Sequence, residues 1–256
     1  MATQSKTLEK SAVEPHRSRL RSIAIVPAHN EEASLGALLA ELRVAEPDLA
    51  VVVINDGSTD GTARVAAAAG APVVTLPFNV GIGGTVQTGY QYALEHGFEV
   101  AIQVDGDGQH DPTEIGRVLE PIFDDRADLV VGTRFVSGGG YRGTRVRRVG
   151  IHIFARVVSL MVGQRVSDTT SGFRAVNRKA LRLFAGEYPH DYPEVESIVL
   201  LSRHGLRMLE VPVRMRVRET GSSSITALRA AYYMIKVLLA LFIGLFRRYP
   251  SPQEEQ

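Results

Sequence analysis

Five short apolar segments alternate with segments of helical periodicity in the first half of this chain, and this alternation limits the fold more than any other feature. The apolar segments show no polar alternation, which is typical of strands buried on both faces. They span residues 23–26, 49–54, 73–76, 100–104 and 129–131. Strands and helices in this order predict right-handed βαβ units and an α/β fold with a mostly parallel, doubly wound, Rossmann-like sheet.

A polar loop follows each predicted strand. In chain order the loops are PAHNEE, NDGSTDGT, the glycine-rich FNVGIGG, DGDGQHDP and GTRF. In a doubly wound sheet, ligands bind outside the carboxyl ends of the strands. Because all these loops follow strands, we expect them to meet at one edge of the sheet and to form a single ligand site.

The loop after the fourth strand is acidic. Asp105 and Asp107 are separated by one residue, and Gln109 lies just beyond them. Carboxylates at this spacing in a turn can converge on one hard cation, and oxygen ligands suit Mg²⁺ or Mn²⁺, which keep open positions for substrate phosphates. Gln109 offers a neutral carbonyl ligand. On this stretch alone, an ordinary solvated Asp-Gly turn is the alternative.

The other loops offer groups that suit a nucleotide. His29 provides an imidazole face, and Glu31 and Asp56 provide acceptors for the N–H groups of a base or the hydroxyls of a ribose. Backbone amides for a diphosphate are expected from Gly81, Gly83 and Gly84. Each residue also has a structural explanation, as a first-turn helix acid, an Asp-Gly turn or a helix entry. Their convergence at one edge favours a nucleoside diphosphate.

The second half of the sequence is less regular. Residues 137–150 are rich in glycine and arginine, which predicts a mobile basic loop; an ordinary solvated loop is the alternative. We then predict helices over 151–162 and 194–204 and a strand over 208–217. Between them, SDTTSGFR is predicted as a polar turn.

The most apolar segment lies near the end of the chain. Its uninterrupted part, Val237 to Phe246, is shorter than the roughly twenty residues that span a bilayer. We therefore predict an amphipathic helix at the membrane interface over 225–248, with packing on the domain, on another subunit or on a separate small membrane protein as alternatives. The remaining divisions are a disordered tail at 1–20, one catalytic domain at 21–224 and a tail at 249–256.

Composition excludes several classes of protein. The 29 basic and 28 acidic residues nearly cancel, so the chain lacks the overall charge typical of nucleic-acid binding. It contains no cysteine, which excludes disulfides, thiolate nucleophiles and cysteine zinc clusters. The first residues lack the apolar region of a signal peptide, so we expect the catalytic part to face the cytoplasm.

The loop motifs, in this order and spacing, resemble those of family 2 glycosyltransferases of the GT-A fold. The later stretches DTTSGFR and RETGSSS narrow the resemblance to dolichol-phosphate mannosyltransferases and bacterial polyprenyl-phosphate glycosyltransferases, over about residues 23–224. The resemblance implies an inverting transfer of a sugar from a nucleotide-diphosphate sugar to an undecaprenyl or decaprenyl monophosphate at the cytoplasmic membrane face, with Mg²⁺ or Mn²⁺ as cofactor.

The resemblance also implies roles for single residues. The nucleoside would be held by Pro27, His29, Glu31 and Asp56, and the metal and diphosphate by Asp105, Asp107 and Gln109. The donor and acceptor phosphates would be surrounded by Arg134, Arg147, Ser171, Arg174 and Arg218. Asp107, Arg134 and Arg218 are the residues expected to act on the departing diphosphate. No strongly activated base is expected, because a lipid monophosphate is already an anion.

Three positions depart from the pattern of the family. His29 stands where many relatives have tyrosine, and Ile151 stands where relatives often have a phosphate-binding serine. In addition, GSSS replaces the usual glycine-x-serine and basic residue. Two other functions remain open: a glycosyltransferase acting on a soluble or polysaccharide acceptor, and a non-catalytic protein that binds nucleotide sugars. A dehydrogenase is disfavoured, because no glycine fingerprint follows the first strand.

Overall fold

A computed structural model describes residues 20–133, 145–216 and Lys236, with only the backbone described over 145–153. Several predictions therefore lie outside the described residues. They are the tail at 1–20 apart from Leu20, the interface helix at 225–248 apart from Lys236, the tail at 249–256, the loop residues 137–144, and the predicted phosphate ligands Arg134 and Arg218.

One sheet forms the centre of the described structure. Its strands are β1 (Ser22–Ala28), β2 (Ala50–Asn55), β3 (Val73–Thr75), β4 (Val100–Gln103), β5 (Leu129–Thr133), β6 (Arg174–Val176) and β7 (Met208–Pro212). Their order across the sheet is β3-β2-β1-β4-β6-β5-β7. Only β6 runs antiparallel to its neighbours, β4 and β5, among the pairs that the structure describes. The prediction of a mostly parallel sheet is confirmed.

Helices cover both faces of the sheet. They are α1 (Leu35–Ala45), α2 (Thr62–Ala68), α3 (Gly81–Glu95), α4 (Ile115–Phe123), α5 (Arg145–Val162), α6 (Arg178–Gly186) and α7 (Pro193–Arg203), and a 3₁₀ turn (Pro112–Glu114) leads into α4. One core packs α3, α5, α6 and α7 against the sheet, and a second core packs α1 and α4 against the opposite face. Strands buried on both faces explain the continuous apolar runs of the sequence.

The structure corrects two of the predicted boundaries. Helix α5 begins at Arg145, so the second half of the predicted basic loop at 137–150 is helical, as arginine's good helix propensity allows. Strand β7 ends at Pro212 rather than at residue 217. The short strand β6 was not predicted.

The order of the strands in the sheet determines where the candidate site lies. Strands β2, β1 and β4 are adjacent and parallel, so the loops that follow them leave the sheet side by side. Helix α3 packs closely on the face of β1 because Gly89 faces Ile25, where a Cβ would lie 2.2 Å from Ile25 Cγ2. The acidic loop after β4 also contacts the end of β1, where the Gly106 N–H donates to the Pro27 carbonyl oxygen at 3.1 Å.

Candidate active site

A cavity of about 300 Å³ opens at the carboxyl ends of β1, β2 and β4. It is lined by Pro27, Ala28, His29, Glu31, Asp56, Asn79, Gly81, Ile82, Thr85, Asp105, Gly106 and Asp107. The structure therefore brings most of the residues predicted for the nucleotide and the metal to one place. The volume is at the lower end of the range of small-molecule sites.

Asp56 organises one side of the cavity. Its buried carboxylate accepts hydrogen bonds from the N–H groups of Val80, at 2.7 Å, and Gly81, at 3.2 Å. These contacts fix the entry into α3. The N–H of Gly81 also lies 2.9 Å from Asn79 Oδ1, so this amide is directed at protein oxygens and not, as predicted, at a diphosphate.

His29 is held beside Asp56. Its Nδ1 lies 2.7 Å from the carbonyl oxygen of Asp56, and because a carbonyl only accepts, Nδ1 carries a proton. Nε2 lies 3.3 Å from the Asn30 side-chain amide, which donates to it in the neutral ring. The imidazole is thus oriented at an exposed position on the rim, where it can contact a ligand.

The predicted metal ligands form one compact group. Asp107 Oδ1 accepts from the Gln109 N–H at 3.0 Å, and Asp107 Oδ2 accepts from the Gln109 side-chain amide at 2.6 Å. Asp105 lies across the Asp-Gly turn and also lines the cavity. Both predicted carboxylates therefore reach the same space, whereas Gln109 contacts Asp107 but is not among the residues that line the cavity.

The charge of the cavity fits a divalent cation. Four carboxylates line it, those of Glu31, Asp56, Asp105 and Asp107, and its described lining contains no lysine or arginine. No cluster of three His, Cys, Asp or Glu side chains in the part of the chain that the structure describes could by itself hold a metal ion. Asp105 and Asp107, with Gln109 beside Asp107, would leave coordination positions open, as is typical where phosphates complete the coordination of Mg²⁺ or Mn²⁺.

Arg174 and Ser171 are not among the residues that line the cavity, and their role around the acceptor phosphate stays a prediction. Arg174 is only 1% exposed, and its guanidinium donates to Ser171 O at 2.7 Å, Ser197 Oγ at 2.7 Å and Glu194 O at 2.6 Å. Ser171 is also buried, and its hydroxyl accepts from the Phe173 N–H at 3.3 Å. The structure does not bring either side chain to the cavity. Arg174 instead donates hydrogen bonds to Glu194 and Ser197 near the beginning of α7.

Gly83 also has a role in packing. A Cβ on Gly83 would lie 2.5 Å from the carbonyl oxygen of Pro189 and 2.7 Å from His190 Cα, so α3 contacts this loop through backbone atoms. Of the remaining predicted phosphate ligands, Arg147 lies on α5, in the stretch where only the backbone is described.

Sequence reasoning missed three residues near the acidic turn. Glu194, in the first turn of α7, has a raised pKa because burial disfavours its charge; Arg174 opposes this shift and Asp105 reinforces it. Gln103 and His110 contact Asp105 directly. Gln103 has no sequence signal, because it occupies the last position of an apolar strand, and Glu194 lies far along the chain.

The fold and the cavity together define an α/β protein with an acidic ligand site at the carboxyl ends of its parallel strands. Residues 23–184 match the family model described as Glycosyl transferase family 2. The chain belongs to this family and is a glycosyltransferase, as predicted.

Two relatives are similar over most of their length. The undecaprenyl-phosphate mannosyltransferase of Micrococcus luteus is 33% identical over 219 residues, which is 81% of this chain and 88% of that protein. The polyprenol monophosphomannose synthase of Mycolicibacterium smegmatis is 30% identical over 231 residues, which is 86% of this chain and 87% of that protein.

A solved structure supports the fold. Glucosyl-3-phosphoglycerate synthase from Mycobacterium tuberculosis, in complex with Mn²⁺, uridine diphosphate and glucosyl-3-phosphoglycerate, matches with a TM-score of 0.68 at 21% identity, over 91% of this chain and 82% of that chain. The likeness confirms the predicted GT-A fold. Within the described residues, no helix combines the length and the hydropathy needed to cross a bilayer.

Proposed function

We propose that this glycosyltransferase moves a sugar from a nucleotide-diphosphate sugar to a polyprenyl monophosphate at the cytoplasmic face of the membrane, with inversion at the anomeric carbon. The observation that carries the proposal is the likeness to the two relatives named above, whose names specify lipid-phosphate mannosyl transfer. The acidic cavity supports the donor half of the reaction, and the acceptor half rests on the relatives.

Electrostatics supports a metal-dependent donor site. A diphosphate carries negative charge, and a cavity lined by four carboxylates without a described lysine or arginine would repel it. Asp105, Asp107 and Gln109 would hold Mg²⁺ or Mn²⁺, which when bound would neutralise the charge of the departing diphosphate. His29, Glu31, Asp56 and Pro27 would contact the nucleoside.

The acceptor needs orientation more than activation. An oxygen of the lipid phosphate attacks the anomeric carbon from the face opposite the diphosphate, forming one C–O bond while the bond to the diphosphate breaks and its electrons leave with the diphosphate. No proton has to be removed from an ionised phosphate. Arg134, Arg147 and Arg218 are proposed to surround the phosphates, and these cations would offset the acidic cavity.

Membrane association is a separate part of the proposal. The apolar segment at 225–248 is proposed to lie at the membrane interface and keep the active site near the lipid headgroups. Deletion of Thr226–Gln256 should release the protein from undecaprenyl phosphate-containing vesicles in a flotation assay. A deleted protein that still floats would contradict this assignment and leave the transfer reaction untouched.

A transfer assay tests the reaction. Purified protein is incubated with Mn²⁺ or Mg²⁺, undecaprenyl phosphate in detergent and labelled UDP-, GDP- or dTDP-sugars, and label entering the organic phase is measured. We expect transfer from at least one donor, at least a hundredfold loss in Asp107→Asn, and loss with EDTA. Asp125→Asn is the matched control, because Asp125 is an exposed aspartate paired with Arg207, away from the cavity lining.

The same assay separates the alternatives. Metal-dependent hydrolysis of a nucleotide sugar without lipid product would favour a soluble or polysaccharide acceptor. Binding of a nucleotide sugar without transfer or hydrolysis would favour the hypothesis of a non-catalytic nucleotide-sugar-binding protein. The stereochemistry of the lipid product, read by NMR of the anomeric proton, tests inversion.

A further inference from the structure

Both oxygens of the Asp105 carboxylate face nitrogen atoms of buried side chains. Gln103 Nε2 donates to Asp105 Oδ1 at 2.8 Å, and His110 Nε2 lies 3.6 Å from Asp105 Oδ2. Gln103 is 2% exposed and His110 is 3% exposed. Burying polar side chains costs free energy unless their polar atoms find partners in the protein. The Asp105 carboxylate between them is such a partner, and it explains why Gln103 and His110 can be buried.

The tautomer of His110 follows from its other ring nitrogen. The main-chain N–H of Asp105 donates to His110 Nδ1 at 3.0 Å, so Nδ1 is an acceptor and carries no proton. In the neutral ring the proton therefore resides on Nε2, the atom that faces the Asp105 carboxylate. Phe173 stacks on the imidazole, with centroids 4.7 Å apart and planes 15° apart, and fixes its orientation.

Gly172 closes the same side of the carboxylate. A Cβ at this position would lie 2.9 Å from Gln103 Nε2 and 3.0 Å from Asp105 Oδ2. Only glycine therefore lets the Gln103–Asp105 pair adopt the observed arrangement without displacement. The carboxylate is enclosed by donors and backbone on this side, while Asp105 still lines the cavity.

We propose that Gln103 and His110 are positioning residues that hold the Asp105 carboxylate in the orientation needed to bind the divalent cation. The proposal rests on the proposed function, since it requires a cation at Asp105. Partners that orient a metal-binding carboxylate typically change metal affinity 10- to 100-fold when they are lost. Neither residue touches the reacting atoms, so their contribution is to preorganise Asp105.

Two substitutions at His110 separate its two contacts. In His110→Gln, the side-chain amide nitrogen reaches about as far as Nε2 and keeps a donor towards Asp105 Oδ2. In His110→Asn, the shorter side chain can accept from the Asp105 N–H but cannot reach the carboxylate. Mn²⁺ binding is measured by the EPR signal of free Mn²⁺, with Mn²⁺ alone and with Mn²⁺ plus UDP or GDP. We expect about tenfold weaker binding in His110→Asn and less than threefold in His110→Gln.

Gln103 gives an independent variant. Gln103→Met keeps the shape of the side chain but removes the donor to Asp105 Oδ1, and it should also weaken Mn²⁺ binding about tenfold. Thermal melting of each metal-free variant shows whether it folds. If His110→Asn does not fold, Gln103→Met still tests the proposal. Wild-type affinity in His110→Asn and Gln103→Met, with both folded, would overturn it while leaving the proposed function intact.

The tautomer supplies a test that needs no metal and no activity. In metal-free protein labelled with ¹⁵N-histidine, we expect the His110 resonances of a ring protonated at Nε2 and not at Nδ1. A proton on Nδ1 would overturn the proposed orientation. A wild-type protein that binds no Mn²⁺ under any of these conditions would instead overturn the proposed metal site, and with it the need to position Asp105.

Discussion

The main-chain N–H of Arg216 donates a hydrogen bond of 2.9 Å to the main-chain carbonyl oxygen of Gln109. The next pair of residues, His110 and Met215, forms an antiparallel bridge. The Arg216 guanidinium contacts Glu41 and, at 3.1 Å, Asp111. The acidic turn is therefore tied to the segment after β7, which continues towards Arg218. We therefore expect a ligand bound at the acidic turn to stabilise this segment.

Hydrogen exchange tests this link. Because opening of the Arg216 amide breaks its bond to the acidic turn, ligands that bind the turn should slow its exchange. With Mn²⁺ and the nucleoside diphosphate at about ten times their Kd, we expect exchange about tenfold slower. The measurement is hydrogen–deuterium exchange with peptide mapping. The amides of α6, which does not line the cavity, serve as the internal reference, and unchanged exchange at residue 216 would argue against coupling.

Nucleotide affinity should depend on a divalent cation. The acidic lining repels a diphosphate, so removing metal with EDTA should weaken binding of UDP or GDP at least tenfold, and Mn²⁺ should restore it. Isothermal titration calorimetry measures both states. Uridine and guanosine are the matched controls, because without phosphates their affinity should not change on chelation. Equal affinity of the diphosphate in both states would show that lysine or arginine side chains outside the cavity lining suffice.

The sequence predicted the parallel part of the sheet because strands buried on both faces leave continuous apolar runs. Strand β6 left no such run. It has three residues, and Arg174, a residue typical of surfaces, begins it. Its position depends on pairing with β4 and β5, which are separated from it along the chain, and local patterns carry no information about such pairing.

The candidate site was likewise predictable from the sequence only in part. Asp105 and Asp107 are neighbours in sequence, so their meeting in the cavity was predictable, and Glu31 and Asp56 follow adjacent parallel strands. The environment of Arg174 was not predictable, because its buried partners Ser197 and Glu194 come from α7. A motif identifies which residues are present at a site, but long-range packing decides which of them face the cavity.

Close packing of α3 on β1 predicts that a substitution at Gly89 lowers the stability of the fold. Alanine is about 1 kcal/mol better than glycine inside a helix, yet a Cβ at Gly89 would lie 2.2 Å from Ile25 Cγ2 in the core. Overpacking typically costs about 1–3 kcal/mol, so Gly89→Ala should lower the free energy of unfolding by up to about 2 kcal/mol net. Urea denaturation measures the change.

Gly186 provides the control for this substitution. It is the last residue of α6, and a Cβ there would meet no atom within 4 Å. Gly186→Ala should therefore be neutral or slightly stabilising. A Gly89→Ala protein as stable as Gly186→Ala would mean that α3 and β1 separate more easily than their packing indicates.

A buried aspartate predicts how stability changes in acid. Asp128 is 2% exposed and accepts hydrogen bonds from the Arg207 N–H at 2.8 Å, Arg207 Nε at 3.1 Å and Asn177 Nδ2 at 2.7 Å. Burial disfavours its charge, but the contacts with Arg207 and Asn177 outweigh burial and lower its pKa. Ionised Asp128 therefore stabilises the fold above its unfolded pKa of about 3.9, and this contribution is lost as the pH falls through the lower folded pKa.

Asp128→Asn tests this argument. At pH 7 the variant should be less stable by about 1–3 kcal/mol, because an amide cannot accept all these bonds and turns donors towards Arg207. Below the folded pKa the wild-type carboxyl is also neutral, so the stability difference should shrink as the pH is lowered. Urea midpoints at pH 7, 5, 4 and 3 measure it. Asp48→Asn, at an exposed position, controls for the loss of one charge. A difference independent of pH would show that Asp128 acts through its shape rather than through its charge.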